Sequence, residues 1–208
     1  MSDALSYGEE IYFESIKDNV SIIFDVGSQK SEYLEFSGEV HYFEPVVKEL
    51  NILKNRETKN TQSYFNDFAL GDDKKSNIAH YGHGALFNRN GTNDNHIDFH
   101  CNVIPAEDYI VENNISRIDF LKIDVEGYEL EVLNGFRDKL SIVNHIQFEY
   151  GIGLRDNGHN LSDIINLLQK YSFEDFCTQT STGLTPLTNY NDDWVWKNIV
   201  CKKKSNEL

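Results

Sequence analysis

Short apolar runs alternate with amphipathic or polar stretches along most of the chain. Residues 21–26 (Ser-Ile-Ile-Phe-Asp-Val) form a continuous apolar run that ends at Gly27, a pattern typical of a strand buried on both faces. A second run, residues 40–44, is followed by Pro45, after which apolar residues recur at helical spacing. These runs predict two buried strands and a helix that follows the second of them.

The same alternation continues to the end of the chain. Further strands are predicted at residues 63–66, 118–123, 142–149, 172–178 and 194–201, and further helices at residues 106–113, 128–133 and 161–168. Because strands and helices alternate, we expect a mostly parallel sheet with helices on both faces. The last two strands, joined by a polar loop, are predicted to form an antiparallel hairpin at one edge. The predicted fold class is a doubly wound α/β sandwich.

Two segments fall outside the regular alternation. Residues 1–19 have loosely spaced apolar positions and predict an N-terminal helix. Residues 73–103 are rich in glycine and asparagine and predict an irregular insertion, a lid or a β-hairpin, with a strand over residues 96–103. Residues 151–208 are expected to supply the last helix and the edge strands. With 208 residues, 39% of them hydrophobic, the chain (1–208) is predicted to form one domain.

Composition and charge narrow the range of functions. The chain has 34 acidic residues against 19 basic ones and a formal net charge of −15, which argues against binding to nucleic acid or to an anionic membrane surface. Neither a signal peptide nor a segment of roughly 18 apolar residues is recognisable, so we expect a cytoplasmic protein. The three cysteines Cys101, Cys177 and Cys201 show no C-x-x-C spacing and predict neither a disulfide framework nor a structural zinc site.

Acidic residues recur where the predicted parallel strands end. In a doubly wound sheet, ligands bind beyond the carboxyl ends of the strands, so these residues are the candidates for a site. The residues expected there are Asp25, Gly27, Glu44, Asp67, Phe68, Asp124, Glu126 and Glu149. Glu44 lies 19 residues after Asp25, the spacing at which an acidic residue binds ribose hydroxyls in nucleotide-binding folds.

The loop after the first strand indicates which nucleotide fits. It has one glycine in place of a G-x-G-x-x-G cradle and no P-loop spacing, which disfavours a nicotinamide-dependent reductase. S-Adenosylmethionine fits because it carries adenosine and a cationic sulfonium but no phosphate. In this hypothesis Asp25 faces the ammonium group and Gly27 lets the backbone approach the methionine tail. Glu44 binds the ribose hydroxyls, while Asp67 and Phe68 flank the adenine.

A family resemblance supports the same cofactor. Residues 121–135, which contain Lys-Ile-Asp-Val-Glu-Gly, resemble the signature of the FkbM family of S-adenosylmethionine-dependent methyltransferases. Other pieces occur in the family's order at residues 24–27, 43–45, 69–72, 106–110 and 147–149. The resemblance implies a Rossmann-like methyltransferase fold with a mostly parallel seven-stranded sheet and an antiparallel C-terminal hairpin edge. It also implies methyl transfer, usually to oxygen, on a sugar, a glycan or a small-molecule metabolite.

The resemblance also implies roles for individual residues. It assigns Asp25, Gly27, Glu44 and Asp67 to the cofactor site, and it lines the reaction side with Asp124, Glu126 and Glu149. The first loop departs from the family pattern Asp-Val-Gly-Ala-Asn-x-Gly, because Ser31 stands in place of the second glycine. The following crossover helix is expected to be shortened to about residues 30–36. The alternative function is therefore a catalytically silent domain that keeps the fold and binds a nucleoside or a protein partner.

In methyl transfer the protein positions two reactants and removes a proton from the acceptor. Glu126 and Glu149, with Asp124 beside them, are the candidate catalytic residues, and either glutamate can serve as the base if its pKa is raised. The structural alternatives are a helix cap for Glu126 and a strand-end salt bridge for Glu149. Lys122 is expected to point away from the site and to reach solvent.

The sequence offers weaker signals for a metal and for acceptor contacts. Histidines and one cysteine cluster loosely at His80, His83, His96, His100 and Cys101, but no spacing matches a zinc pattern, so no metal is predicted. A divalent cation at the acidic strand ends is the alternative. The aromatic residues that can stack on a sugar are Tyr81, Phe87, Tyr150, Trp194 and Trp196, although such residues more often belong to a core.

Overall fold

The computed structural model describes residues 9–29, 31–82, 85–87 and 97–204. The strands are β1 (Ile22–Val26), β2 (Glu39–Phe43), β3 (Gln62–Asn66), β4 (Ala69–Leu70), β5 (Lys75–Gly82), β6 (Ala85–Phe87), β7 (Ile97–Ile104), β8 (Ile118–Ile123), β9 (Val143–Tyr150), β10 (Phe173–Thr180), β11 (Gly183–Pro186) and β12 (Lys197–Lys203). The helices are α1 (Glu9–Ile16), α2 (Val47–Lys54), α3 (Ala106–Glu112), α4 (Glu129–Phe136), α5 (Ile152–Asp156) and α6 (Leu161–Lys170). None of these helices is long and apolar enough to cross a membrane.

Eight strands form the main sheet, in the order β11-β10-β12-β9-β8-β1-β2-β3. The five strands from β9 to β3 are parallel, whereas β12 runs antiparallel to both β9 and β10. The predicted fold, a mostly parallel sheet with an antiparallel edge, is confirmed. Two details differ from the prediction: β12 inserts between β9 and β10, and the polar loop before it adds the short strand β11, which makes eight strands instead of seven.

Apolar clusters cover both faces of this sheet. On one face, side chains of α3, α4 and α6 pack against Phe24, Leu121 and Phe148. On the other face, Tyr12 and Phe13 of α1 pack against a smaller set of strand residues. We call these the α4 face and the α1 face. All six residues of β8 are buried, because this central strand is covered on both sides.

The described residues between 75 and 103 form strands, so of the alternatives for this segment the β-hairpin is the one observed. A second sheet has the order β4-β7-β5-β6, in which β5 and β6 make the predicted hairpin and β7 is the predicted strand at the end of the segment. The parallel pairing of β4 with β7 joins this sheet to the chain that leaves β3. Gly135 of α4 lies against the backbone of Gly71, where a Cβ atom on Gly135 would be 1.9 Å from the Gly71 carbonyl oxygen.

Candidate active site

The register of the parallel strands brings polar side chains into two rows on the α1 face. Asp25 pairs with Lys122, and Lys122 pairs with Gln147, so these three buried residues lie side by side on β1, β8 and β9. The strand ladder continues one residue beyond each strand end, through the backbone bonds Glu44 N–H to Asn66, Gly27 N–H to Phe43 and Asp124 N–H to Val26. The outer row, at the carboxyl edge, therefore contains Asp67, Glu44, Gly27, Asp124 and Glu149.

Asp25 is a buried carboxylate that lacks a matched partner. It is fully buried, and no donor in the described part of the chain makes a hydrogen bond of good geometry to either oxygen. Burial raises the pKa of Asp25, and the positive charge of Lys122 and the hydroxyl of Ser31 oppose this effect. Because a buried carboxylate needs compensation, this position suits the ammonium group of an amino-acid ligand.

The loop after β1 is shaped by close backbone contacts. Gly27 has a positive φ of 86°, and a Cβ atom there would lie 1.8 Å from the carbonyl oxygen of Asp124. The Ser28 hydroxyl donates to the Asp25 carbonyl oxygen at 2.7 Å and accepts from the Phe43 N–H at 2.9 Å. These contacts clamp the ends of β1, β2 and β8 together, which leaves room only for glycine at position 27.

The crossover from β1 to β2 carries less helix than the shortened helix predicted at about residues 30–36. Between these strands the described residues contain a single 3₁₀ turn, Tyr33–Glu35, in place of a crossover helix. Ser31 is buried, and its hydroxyl oxygen accepts a hydrogen bond from the Tyr33 N–H at 3.2 Å. The serine thus stabilises the start of this turn at the position where the family pattern has its second glycine.

The residues predicted to hold adenosine are only partly brought together. Glu44 is buried, its carboxylate accepts a 2.8 Å hydrogen bond from the Val46 N–H, and burial raises its pKa to about 7. Asp67 is exposed at the end of β3, beside Glu44 in the outer row. Phe68 packs with the core of the α4 face, where its ring centroid is 5.9 Å from those of Phe43 and Tyr109. The structure therefore does not bring Phe68 to the polar rows.

Three of the predicted residues form a carboxylate cluster. Asp124, Glu126 and Glu149 each offer an oxygen atom, and these atoms lie within 4.8 Å of one another. Burial, reinforced by Asp124, raises the pKa of Glu126 to about 7. Burial and then the charges of Asp124, Glu126 and Glu129 raise the pKa of Glu149 to about 10. The cluster therefore holds protons at neutral pH, and the groups that shift Glu149 are all carboxylates, not the cation that a strand-end salt bridge needs.

Glu129 holds the turn that leads into α4, which is close to the helix-capping role that the sequence analysis gave as the structural alternative for Glu126. Its buried carboxylate accepts hydrogen bonds from the Gly127 N–H at 3.0 Å and the Val125 N–H at 3.3 Å, and burial raises its pKa to about 8. Glu129 therefore holds the turn before α4. Glu126, with a positive φ of 58°, keeps its side chain in the cluster, so the helix-cap alternative does not describe it.

The expectation that Lys122 reaches solvent is wrong. Its side chain is only 9% exposed, and its Nζ lies 3.2 Å from Oδ2 of Asp124. Residues two apart on a strand share a face, so Lys122 necessarily points to the same side as Asp124. It is a buried cation of the inner row, and its ammonium group reaches Asp124 in the outer row and partly balances the carboxylates around it.

The loop that carries Glu126 is fixed from its other side by α5. Gly127 has a positive φ of 109°, and a Cβ atom there would be 2.3 Å from the backbone of Gly153. The Asn157 amide donates to the Gly127 carbonyl oxygen at 2.9 Å. Sequence analysis did not single out Gly153, Asn157 or Glu129, and the signal was faint: a second glycine after β9 and an acid three residues after Glu126.

The metal candidates divide into two groups. His83 and His96 lie outside the described residues, and His80 and His100 are not opposite each other, because they pair with Asp98 and Ile78. The carboxylate cluster has the dimensions of a divalent-cation site. The alternative of a cation at the acidic strand ends therefore concerns Asp124, Glu126 and Glu149 alone among the described residues.

We expect the protein without ligand to lose stability as the pH rises from about 5.5 to 8. Glu44, Glu126 and Glu129, with pKa values of about 7, 7 and 8, keep protons in the folded state that the unfolded chain releases near its ordinary value of about 4.5. Because the folded state binds more protons over this window, the free energy of unfolding falls with rising pH. Urea denaturation at several pH values should show a loss of at least about 2 kcal/mol, which is what one of these groups contributes across this window. Constant or rising stability would contradict the burial of these groups.

Comparison with known proteins shows the family to which the chain is similar and supports its fold. A family model described as the methyltransferase FkbM domain matches residues 25–174. No curated protein sequence matches the chain. The solved structure of the plantazolicin methyltransferase BpumL in complex with SAH has a TM-score of 0.50 at 10% identity, covering 96% of this chain and 83% of that one. A SAM-dependent O-methyltransferase of Thermotoga maritima has a TM-score of 0.41 at 12% identity, covering 100% and 69%. The first likeness concerns the fold alone, a Rossmann-like methyltransferase fold.

Proposed function

Because the chain belongs to the FkbM family of methyltransferases, we propose that it methylates a hydroxyl group of a sugar, a glycan or another small metabolite. S-Adenosylmethionine is the methyl donor, and when bound it supplies a methyl group activated by a sulfonium cation. The observation that carries the choice of a hydroxyl acceptor is the cluster of Asp124, Glu126 and Glu149, which combines close spacing with raised pKa values. Such a cluster can take a proton from a neutral acceptor.

The polar rows fit the donor on one side of this cluster. Asp25 offers buried oxygens without matched partners for the ammonium group. Glu44 and Asp67, at the ends of β2 and β3, are placed for the adenosine hydroxyls and base. Because Gly27 has no side chain, the methionine tail can approach the backbone of this loop. Asp124, whose backbone lies against Gly27, borders both the donor and the acceptor.

The roles of the two glutamates follow from their pKa values. Glu126, with a pKa of about 7, is near half-ionised at neutral pH and is the better general base. Glu149, with a pKa of about 10, keeps its proton and donates a hydrogen bond to Asp124 or to the acceptor. With S-adenosylmethionine bound, Glu126 would take the hydroxyl proton as the acceptor oxygen receives the methyl group, and the electron pair of the broken carbon–sulfur bond would stay on sulfur.

One observation favours the second candidate function, a silent domain that binds a nucleoside or a protein partner. The described part of the first crossover has Ser31 and a three-residue 3₁₀ turn where the family has a second glycine and a helix. A donor bound there would have less backbone around its methionine tail. The closeness of Glu126 to Asp124 and Glu149 opposes this reading, because three carboxylates are costly to hold together without a chemical role.

Binding of S-adenosylhomocysteine separates the two functions. Calorimetric titration should give a dissociation constant in the micromolar range, and Glu44→Ala should weaken binding about 10- to 100-fold through loss of the ribose contact. Glu35→Ala, which removes an exposed glutamate paired with Lys59, is the matched control and should bind normally. NAD and adenosine are the comparison ligands. If a folded protein binds neither S-adenosylhomocysteine nor S-adenosylmethionine, the silent-domain function replaces the enzyme.

A further inference from the structure

The two tryptophans near the end of β9 have different surroundings. Trp194 is stacked on Tyr150, with ring centroids 5.9 Å apart and planes at 19°. Its backbone N–H donates to the Tyr150 hydroxyl at 3.2 Å, and the Arg155 guanidinium lies 5.8 Å from its ring centroid. Trp194 therefore holds the loop before β12 against the α4 face, which is a structural role.

Trp196 lies on the opposite face and is open to solvent. The pairing of β12 with β9 places Lys197 opposite Tyr150 and Asn198 opposite Glu149. Because side chains alternate along a strand, Trp196 shares the face of Asn198 and Glu149. Trp196 is 46% exposed, and its indole ring lies over Gly151, where a Cβ atom would be 2.4 Å from a ring carbon. Gly151 thus seats the ring against the end of β9.

The backbone beneath the exposed indole lies close, along β9, to a residue of the carboxylate cluster. Gly151 is two residues beyond Glu149, which corresponds to about 6.6 Å of extended strand. On this side of the site an aromatic face is therefore followed by Glu149 and then by Asp124 and Glu126. Small-molecule sites commonly combine one apolar or aromatic wall with a few convergent polar groups.

This combination matches the two surfaces of a sugar ring. A pyranose presents C–H groups on its face, which pack on an aromatic ring, and hydroxyl groups around its rim. Each hydroxyl both donates and accepts hydrogen bonds, and a cluster that holds both protonated and ionised carboxyl groups offers both partners.

We propose that Trp196 is the platform on which a pyranose ring of the acceptor stacks, so that one ring hydroxyl meets Asp124, Glu126 and Glu149. This inference rests on the proposed function, because it names the acceptor class and the residue that binds it. Trp194 has no part in it, although the two tryptophans are indistinguishable in the sequence.

Saturation-transfer NMR tests the platform directly. The probes are the methyl glycosides of glucose, galactose, mannose, fucose, rhamnose and xylose, each with protein saturated with S-adenosylhomocysteine. We expect transfer to the ring C–H protons of at least one glycoside, an affinity about 3- to 10-fold lower or no signal in Trp196→Ala, and partial rescue in Trp196→Tyr. Trp194→Phe keeps the aromatic stack on Tyr150 and should leave the signal unchanged.

Several results would overturn the platform. One is the absence of transfer to every glycoside while S-adenosylhomocysteine still binds; another is a signal that Trp196→Ala does not reduce. Transfer to acetyl-arginine amide or tetramethylammonium in place of the glycosides would assign the site to a cation. A dimer that Trp196→Ala dissociates in size-exclusion chromatography would make the residue an interface. Glycoside binding without any binding of S-adenosylhomocysteine would instead uphold the platform and defeat the proposed enzyme.

Discussion

Glu126→Gln should lower the rate of methyl transfer by about 10²- to 10⁴-fold and leave the affinity for S-adenosylhomocysteine unchanged. Glutamine has the shape of glutamate but cannot accept the acceptor's proton, so the loss falls on the chemical step. The measurement is single-turnover transfer of labelled methyl from S-adenosylmethionine to a glycoside that binds. Glu131→Gln is the matched control, because Glu131 lies on the neighbouring helix α4 and pairs with His159 outside the cluster.

The pH profile identifies the base. Glu126 has a pKa of about 7, so the wild-type rate should rise with pH and level off above about 7, and Glu126→Gln should lose this dependence. Glu149→Gln should be the milder change, because Glu149 is protonated at neutral pH and an amide resembles its protonated form. A larger loss in Glu149→Gln than in Glu126→Gln would reverse the two assignments.

The same pH profile tests the alternative that the carboxylate cluster binds a divalent cation. The profile is recorded in EDTA and again with Mg²⁺, using protein at the same concentration. Activity that disappears in EDTA and returns with Mg²⁺ would assign Asp124, Glu126 and Glu149 to a metal ion in place of a proton-transfer cluster. Equal rates in both conditions would support Glu126 as the base.

Most of the main sheet could be predicted because its strands carry the strongest patterns. The run at residues 118–123 has the bounds of β8, whose complete burial explains its uninterrupted apolar character. β11 was not predicted, because its four residues, Gly-Leu-Thr-Pro, are mostly exposed and its only partner is β10. The position of β12 between β9 and β10 also had no local signal, since strand order depends on long-range pairing.

The candidate site could be predicted as a list of strand ends but not as a geometry. The carboxyl-end rule selected Asp25, Glu44 and Asp124, which share one face because their strands are parallel and in register. It also selected Phe68, which follows Asp67 directly and packs with the core of the α4 face. Burial of a charged side chain such as Lys122 depends on tertiary packing, and no spacing in the sequence reports it.

Substitution of Gly27 should cause a large loss of both stability and ligand affinity, because the backbone of Asp124 lies against it. Gly27→Ala places a methyl group at a position 1.8 Å from the Asp124 carbonyl oxygen, at a φ of 86°. The ends of β1 and β8 must then separate, which moves Asp124 and opens the loop beside Asp25. We expect the free energy of unfolding to fall by about 2–5 kcal/mol. The affinity for S-adenosylhomocysteine should fall by about 100-fold or more, since the polar rows lose their register.

Gly158→Ala separates the effect of crowding from that of backbone conformation. Gly158 has a similar φ of 82°, but a Cβ atom there meets nothing within 4 Å. Its substitution carries the conformational cost alone, about 1–2 kcal/mol, and should leave S-adenosylhomocysteine binding intact. Both variants are measured by urea denaturation and calorimetry under the same conditions. If Gly27→Ala behaves like Gly158→Ala in both measurements, the ends of β1 and β8 are not clamped, and the shortened first loop can bind its ligand without this close approach.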